Sequence, residues 1–358
     1  MIVCVDGISL TRPMSGIGRV AFEICRRLVN CQDIGRLIIA CPGPLNEAFK
    51  EIETYTQIRR CGRKTWYGFH LSKLLRDCDP DIFFSPSHRI PVSTPTRTFK
   101  HIMVHDLIWA KLPETMRPFA RFYEPILFRH AVKHADHITA VSESTANDLL
   151  EAFPGISEKV SVSFLASSFI EQGRHKTGDY ILFVGSFEPR KNIPYLLDGY
   201  ANLPDKIKKD FGLVLAGADS WGHVDVSKEI RTRNLQNFVL LKKEPTEKQL
   251  IRLYRNCAFL VLPSLYEGFG LPIVEAMSFG KPVITSNISS LPEVAGQAGL
   301  LVNPCESDQI TTAMFTLLTD ANLYRKLSDQ ALQRSKSFTW DHIASDLVKI
   351  FRKSIEKS

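Results

Sequence analysis

Residues 263–284 read PSLYEGFGLPIVEAMSFGKPVI, and this stretch indicates the fold. The apolar run at residues 258–262 that precedes it predicts a buried parallel strand. Pro272 and Gly280 then bracket a predicted helix, because proline favours the first helical turn and glycine favours the position after the last. A glycine-containing loop joins the strand to the helix. A helix N-terminus in this position presents backbone N–H groups and the positive end of its dipole, so the junction predicts a phosphate site.

Two carboxylates flank this junction. Glu267 lies in the loop and Glu275 in the predicted helix, with seven residues between them. An ionised carboxylate only accepts hydrogen bonds and repels a bare phosphate, so hydroxyl groups on the same ligand are its expected partners. Phosphate plus hydroxyls suggests a nucleotide sugar. The alternative is an ordinary core helix that carries two solvated glutamates.

The segment EGFGLPIVEAMSFGKPVI resembles the Glu-x7-Glu signature of retaining GT-B glycosyltransferases, of the family 4, mannosyltransferase-like type. The resemblance implies that Glu267 holds the hydroxyls of the donor sugar and that Glu275 holds the ribose. Backbone groups that would contact the donor phosphates belong to Gly268, Phe269, Gly270 and Leu271.

A second strand–loop–helix junction reads VGSFEPRKN at residues 184–192. Arg190 and Lys191 are adjacent cations beside a predicted helix N-terminus, which is an anion site by simple electrostatics. The segment is similar to the Gly-x(3–5)-Arg-Lys-Asn motif of the same family. That resemblance implies that Arg190 and Lys191 bind the diphosphate and stabilise it as it leaves. The alternative is a pair of solvated surface charges.

Two further candidate sites lie in the first half of the chain. Gly16 and Gly18 form a glycine-rich turn before a predicted helix, a weak relative of the dinucleotide fingerprint that equally fits a tight structural turn. His105 and Asp106 end the strand in FKHIMVHDLIW, where a charged or polarised imidazole could act on developing charge, or where the pair could simply cap a turn. The family resemblance implies that the glycines face the donor phosphates and that His105 lies beside the reacting carbon.

Strands and helices alternate through both halves, which predicts two Rossmann-like, doubly wound parallel α/β domains facing a cleft, the GT-B fold. The expected domains are residues 1–172, which the resemblance assigns to the acceptor, and residues 173–338, assigned to the nucleotide sugar. A final helix at 339–358 is expected to return to the first domain. A polar linker is predicted at 171–179, and the loop at 242–246 is expected to border the nucleotide base. Beyond residues 258–262, strands are predicted at 1–6, 37–41, 81–85, 101–105, 137–142, 180–186, 211–216, 237–241 and 282–285.

The composition of the chain narrows the classes of protein to which it could belong. The chain has 358 residues, is 44% hydrophobic and carries a net charge of +7, which does not demand nucleic acid. Its eight cysteines form no Cys-x-x-Cys pair, so reduced thiols in a cytoplasmic protein are expected. No signal peptide or membrane span is recognised, and no Asp-x-Asp metal motif appears where a donor would be expected to bind. We therefore expect no metal and no cofactor, with the nucleotide sugar as a substrate.

Two basic and aromatic stretches, residues 64–76 and 117–134, suit an anionic membrane surface or a large anionic acceptor. Ordinary amphipathic helices packed on a sheet are the alternative. If the acceptor is lipid-linked, these stretches are expected near the inner face of the plasma membrane.

The sequence therefore predicts a retaining hexosyltransferase, with GDP-mannose as the favoured donor and a saccharide or lipid-linked saccharide as the acceptor, in bacterial surface polysaccharide synthesis. dTDP-rhamnose and UDP-sugars remain open as donors. A glycoside hydrolase, a phosphorylase or epimerase of the same fold, and a non-catalytic nucleotide-sugar-binding protein are the alternative functions.

Overall fold

The computed structural model describes residues 1–13, 15–58, 65–169, 178–220, 222 and 224–356. The chain packs as two compact units. The first unit comprises Met1–Leu107, Phe122–Leu165 and Thr339–Ser358, and the second comprises Ile108–Arg121 and Ala166–Phe338.

The first unit contains a parallel sheet with the strand order β3-β2-β1-β4-β5-β6-β7 among the described residues. The strands are β1 (Ile2–Asp6), β2 (Arg36–Cys41), β3 (Thr56–Ile58), β4 (Ile82–Ser85), β5 (Phe99–Val104), β6 (His137–Ala140) and β7 (Val160–Val162). The order in which the chain adds strands to the sheet reverses between β1 and β4, which is where ligands gather in doubly wound folds.

Five α-helices of the described residues accompany this half of the chain, and the C-terminal helix closes the unit. They are α1 (Gly16–Leu28), α2 (Leu71–Cys78), α3 (Ile108–Lys111, in the second unit), α4 (Pro118–His134, with residues 118–121 in the second unit), α5 (Glu143–Ala152) and α14 (Trp340–Ile355).

The last helix, α14, is fastened to α1 inside the first unit. Its inner face buries Ile343, Leu347 and Phe351, and each such side chain contributes about 1.5–3 kcal/mol relative to exposure. At the surface, Arg27 donates to Asp341 at 2.6 Å and to Glu23 at 2.6 Å. The C-terminal helix therefore belongs to the packing of the first unit.

The second unit contains a parallel sheet with the order β10-β9-β8-β11-β12-β13 in the described part of the chain. Its strands are β8 (Tyr180–Val184), β9 (Gly212–Gly217), β10 (Val239–Lys243), β11 (Leu260–Leu262), β12 (Val283–Ser286) and β13 (Gly299–Val302). The order reverses between β8 and β11, so the loops that follow these two strands lie side by side.

Helices alternate with these strands as the crossover rule requires. They are α6 (Ile193–Ala201), α7 (Asp205–Asp210), α8 (Val226–Thr232), α9 (Glu247–Asn256), α10 (Leu271–Ser278), α11 (Leu291–Ala295), α12 (Ser307–Thr319) and α13 (Ala321–Ser335). The central strands β8 and β11 are buried on both faces, which explains why they read as continuous apolar runs.

The two-sheet α/β architecture predicted from the sequence is confirmed, but several details differ. Three short strands, β3, β7 and β13, were not predicted. The predicted loop at residues 242–246 begins later, because Lys242 and Lys243 pair with Ala216 and Gly217 inside β10. The predicted strands at 101–105 and 137–142 end earlier, at Val104 and Ala140.

The boundary between the units also differs from the expected division. It follows Leu165 instead of residue 172, and Ile108–Arg121 groups with the second unit. Most of the linker predicted at 171–179 falls outside the described residues, as does Lys64 at the start of the first basic stretch.

Gly217 at the end of β9 provides a test of this packing. A Cβ atom at this position would lie 1.8 Å from the backbone oxygen of Gly185, so Gly217→Ala must force β8 and β9 apart. We expect Gly217→Ala to lower the free energy of unfolding by about 3 kcal/mol or more, measured by urea titration with circular dichroism. Gly43→Ala is the matched control, because a Cβ there meets nothing within 4 Å, and its effect should stay within about 0.5 kcal/mol. Equal unfolding midpoints for the two variants would contradict this packing argument.

Candidate functional site

The candidate site of the second unit lies where β8 and β11 end. The turn Pro189–Lys191 follows β8, and the loop at residues 263–270 follows β11. The backbone joins them directly, because the Leu265 N–H donates to the Arg190 oxygen at 2.8 Å. Two motifs that are far apart in sequence therefore form one site at the switch point of the sheet.

The carboxylate of Glu267 is the centre of this site. Lys191 donates to its Oε1 atom, Ser264 donates to the same atom at 2.8 Å, and Arg190 donates to Oε2 at 2.7 Å. Glu267 and Lys191 are both buried. The predicted cations and the predicted carboxylate thus form a single buried ion cluster.

The charged groups in this cluster shift one another's pKa values. Burial raises the pKa of Glu267, but the charges of Lys191 and Arg190 and the hydrogen bonds outweigh burial and lower that pKa to about 2. Burial and then repulsion by Arg190 lower the pKa of Lys191, an effect that the charge of Glu267 opposes. Glu267 is consequently ionised at every physiological pH.

The backbone around the cluster is also fixed. Asn192 has a φ of 59°, and its side-chain amide donates to the carbonyl oxygens of Pro263 at 3.1 Å and Pro304 at 2.6 Å. The Ser290 hydroxyl donates to the carbonyl oxygen of Glu267 at 2.9 Å. The positions of Arg190, Lys191 and Glu267 are therefore set by bonds from three separate loops.

Glu275 occupies the interior turn of α10 and is buried. The Tyr254 hydroxyl donates to its Oε2 atom at 2.6 Å, and the Tyr254 ring stacks on Phe279 with centroids 5.8 Å apart. The structure gives Glu275 an internal partner that the sequence did not indicate. Its expected contact with ribose stays a prediction.

The glycine-containing loop before α10 provides backbone and not side-chain groups. Gly270 precedes the helix with a φ of 99°, a conformation that suits glycine, and a Cβ there would lie 2.9 Å from Leu291. The Phe269 ring is buried against Phe338, with centroids 5.8 Å apart. Donor contacts at Gly268, Phe269, Gly270 and Leu271 would therefore be backbone contacts.

The remaining predicted residues, His105, Asp106, Gly16 and Gly18, belong to the first unit. His105 follows β5 directly, and its Nε2 atom lies 2.7 Å from the carbonyl oxygen of Pro86. A carbonyl only accepts, so Nε2 carries the proton and Nδ1 is the acceptor of the neutral ring. Burial lowers the pKa of His105 to about 4, so the ring is neutral at pH 7 and the charged form considered above is not the resting form.

The two glycines near the chain start have different environments. Gly16 is exposed as the first residue of α1, whereas Gly18 is buried and donates its N–H to the Ser15 hydroxyl at 3.1 Å. A Cβ at Gly18 would lie 3.3 Å from both the Ser9 oxygen and the Phe49 ring. Close packing is therefore a sufficient reason for glycine at 18, and phosphate contact stays a prediction for both.

Sequence reasoning missed three residues that shape the site. They are Ser264, which binds Glu267, Tyr254, which binds Glu275, and Glu188, which pairs with Arg190 at 2.8 Å. The partners of Ser264 and Tyr254 depend on the tertiary fold, whereas Glu188 lies two residues from Arg190 and could have been suspected. In the described part of the chain, no group of three His, Cys, Asp or Glu side chains could hold a metal ion. That the reaction needs no metal stays a prediction.

The protonation of His105 can be measured directly. Its folded pKa lies below the ordinary value of about 6.5, so the ring should stay neutral, with the proton on Nε2, from pH 5 to 8. Because the unfolded chain binds this proton more readily, His105 should also reduce stability as the pH falls from about 6.5 toward 4. Long-range ¹H–¹⁵N spectra, assigned with His105→Gln, would report the tautomer, and a titration near pH 6.5 would contradict the assignment.

Two family models match this chain, one over each half. The family model "Glycosyl transferases group 1" matches residues 167–334, and the model "Glycosyltransferase Family 4" matches residues 14–163. O-antigen chain mannosyltransferase B of Escherichia coli is 25% identical over 373 residues, which cover 95% of this chain and 96% of the relative.

Two further similarities differ in extent. The serotype-specific mannosyltransferase WbdA of Escherichia coli is 31% identical over 303 residues, 76% of this chain, but the match spans only 36% of WbdA. The structure of Anabaena Alr3699/HepE in complex with UDP and glucose superposes with a TM-score of 0.76 at 18% identity, covering 98% of this chain and 99% of that one. The two family matches, the full-length relative and the shared architecture have one consequence: this chain belongs to the family 4 glycosyltransferases of the GT-B fold.

Proposed function

We propose that the protein is a retaining mannosyltransferase that transfers mannose from GDP-mannose to a saccharide or lipid-linked saccharide in surface polysaccharide synthesis. The observation that carries the proposal is the buried cluster of Arg190, Lys191 and Glu267 at the switch point of the second sheet. This cluster combines cations for a diphosphate with an acceptor for sugar hydroxyls.

Departure of the nucleoside diphosphate is the step that Arg190 and Lys191 serve in this proposal. Negative charge grows on the leaving phosphate oxygens, and each charge-assisted hydrogen bond to it contributes roughly 1.5–3 kcal/mol. Backbone N–H groups before α10 add to this stabilisation. Because bonds from several loops hold the cations in place, little reorganisation is needed as the charge develops.

Glu267 orients the donor sugar in this mechanism and does not attack it. Its two oxygens already accept bonds from Lys191, Ser264 and Arg190, and its low pKa marks it as a weakly basic carboxylate. A carboxylate so strongly neutralised is a poor nucleophile. We therefore favour front-face transfer, in which an oxygen of the leaving phosphate takes the acceptor proton and the anomeric configuration is retained.

The same charge argument weighs against a glycoside hydrolase. Such an enzyme needs a carboxylic acid with a raised pKa to protonate the leaving oxygen. The pKa of Glu267 moves in the opposite direction, to about 2. An anion-binding cluster next to it also has no role when the leaving group is a neutral sugar.

The choice of mannose rests on the relatives. Two Escherichia coli proteins similar to this chain are named mannosyltransferases, one of them over nearly the whole length of both chains. The Anabaena protein, which is 18% identical to this chain, was solved with UDP. UDP-sugars are therefore the alternative donor class to be tested.

Ligand-dependent thermal stability tests the donor assignment. At about 100 times its dissociation constant, GDP or GDP-mannose should stabilise the protein by about 2.7 kcal/mol, a rise of several degrees in Tm. UDP, dTDP and their sugar conjugates should give smaller shifts at equal concentration. A larger shift with UDP or dTDP would overturn the choice of base, and an inverted anomeric configuration of the product by NMR would overturn retention.

Substitution tests the roles in the cluster. Glu267→Gln should lower kcat for transfer by about 10²–10³-fold with a smaller effect on KM, because it removes charge that orients the reacting sugar. Lys191→Met should cause a comparable loss and also weaken binding of GDP.

Glu306→Gln is the matched control, since this carboxylate of the second unit contacts only the side chains of Asn303 and Gln309 among the bonds described. Its kcat should remain within about twofold of the wild type, as expected for a carboxylate outside the chemistry. Near-normal kcat in Glu267→Gln, with unfolding midpoints equal in all variants, would remove Glu267 from the mechanism.

A further inference from the structure

The surface of helix α4 carries an unusual concentration of exposed apolar side chains. Phe119 is 79% exposed, Phe122 is 78% exposed and Ile126 is 66% exposed. The side chains of Tyr123 and Leu127 are exposed as well. Soluble proteins rarely leave several large apolar residues exposed in one place, and such a patch marks an interaction surface.

Helical geometry places these five side chains together. Their spacing of i, i+3, i+4, i+7 and i+8 defines a single face along α4. The opposite face carries the buried residues Phe128, Ala131 and Val132, which pack into the first unit. The helix is therefore already anchored by one face while the other remains apolar and exposed.

Basic residues continue the exposed side of the helix. Arg129, Lys133 and His134 are exposed in its last two turns. Glu124, the acidic residue within α4, is half-buried and paired with Arg89 at 2.5 Å and His88 at 3.2 Å. The exposed surface of α4 thus joins an apolar half to a cationic half.

Segments bonded to α4 extend this character. The contacts of Glu124 hold residues 88–89 to the helix, and a few residues later Val92 is 71% exposed. The Val92 N–H donates to the Tyr67 oxygen at 3.1 Å, in the segment where Phe69 is 60% exposed. Two further exposed apolar side chains therefore lie on segments linked by hydrogen bonds to the same helix.

We propose that this face of α4 docks on an anionic lipid bilayer. Phe119, Phe122 and Ile126 enter the boundary between headgroups and acyl chains, and Arg129 and Lys133 bind acidic headgroups. None of the described helices is long and apolar enough to cross a membrane, so α4 lies on the surface. Charge favours a bilayer over a second copy of the chain, because a second copy would bring a like-charged face. The inference does not rest on the proposed donor or reaction.

Co-sedimentation of the full-length protein with vesicles, without any nucleotide, tests the proposal. Vesicles of phosphatidylcholine alone are compared with vesicles containing about 30% phosphatidylglycerol, a composition that presents a strong negative surface potential. The wild type should bind the anionic vesicles at least about tenfold more tightly, and high salt should weaken this binding.

Variants separate the two halves of the face. Phe122→Ser with Ile126→Ser should lower affinity for anionic vesicles about tenfold or more. Arg129→Gln with Lys133→Gln should also lower affinity, and this loss should be seen mainly with the anionic vesicles. Leu240→Ser with Phe315→Ser removes two exposed apolar side chains of the second unit and should leave vesicle binding unchanged.

Several outcomes would overturn the proposal. One is that the wild type does not sediment with anionic vesicles. Another is that the α4 variants and the control variant lose vesicle affinity equally. A third is that the protein forms a dimer in solution and that Phe122→Ser with Ile126→Ser abolishes this dimer. Thermal shifts with GDP, measured on every variant, report folding and the donor site separately. Failure of vesicle binding is therefore distinguishable from failure of the proposed donor.

Discussion

The burial of Glu267 between Lys191 and Arg190 is the constraint on which the candidate site depends. Removing an ion from water costs several kcal/mol, so a buried carboxylate needs close cations and further hydrogen bonds. Here the partners come from the end of β8, while Glu267 comes from the loop after β11. The two loops cannot separate without leaving a buried charge unpaired. The ion cluster thus holds the two loops together at the switch point.

In this arrangement, the cations and the carboxylate that are proposed to bind the donor neutralise one another's charge. In the free protein, the cations that suit a diphosphate are bonded to the carboxylate that suits sugar hydroxyls. In the proposed reaction, the nucleotide sugar brings both partners at once, so it can share the cations with Glu267 and offer hydroxyl donors in return. A ligand with only one of the two groups would leave the other interactions unimproved. We infer that the cluster favours ligands in which a diphosphate and a sugar are covalently joined.

The sequence predicted the elements that local rules determine. Pro272 and Gly280 marked the ends of α10, because such signals act over a few residues. That Arg190 and Lys191 form an anion site stays a prediction. The strands β3, β7 and β13 were missed because they lie at the edges of their sheets. The equally short β11 was predicted because it is central and lies in a continuous apolar run. The existence of the three edge strands follows from pairing with a neighbour. The contacts of Glu267 with Lys191, 76 residues away, and of His105 with Pro86 were equally beyond local signals.

The neutral state of His105 shows how such non-local contacts change a chemical interpretation. Sequence alone allowed a charged imidazole, which would stabilise developing negative charge. The carbonyl of Pro86 instead fixes the proton on Nε2, and burial keeps the ring uncharged. A neutral ring with an acceptor at Nδ1 suits a hydroxyl donor and not an oxyanion. In the proposed reaction, anion stabilisation therefore falls to Arg190, Lys191 and backbone N–H groups, whereas His105 is suited to receiving a hydrogen bond from a sugar or acceptor hydroxyl.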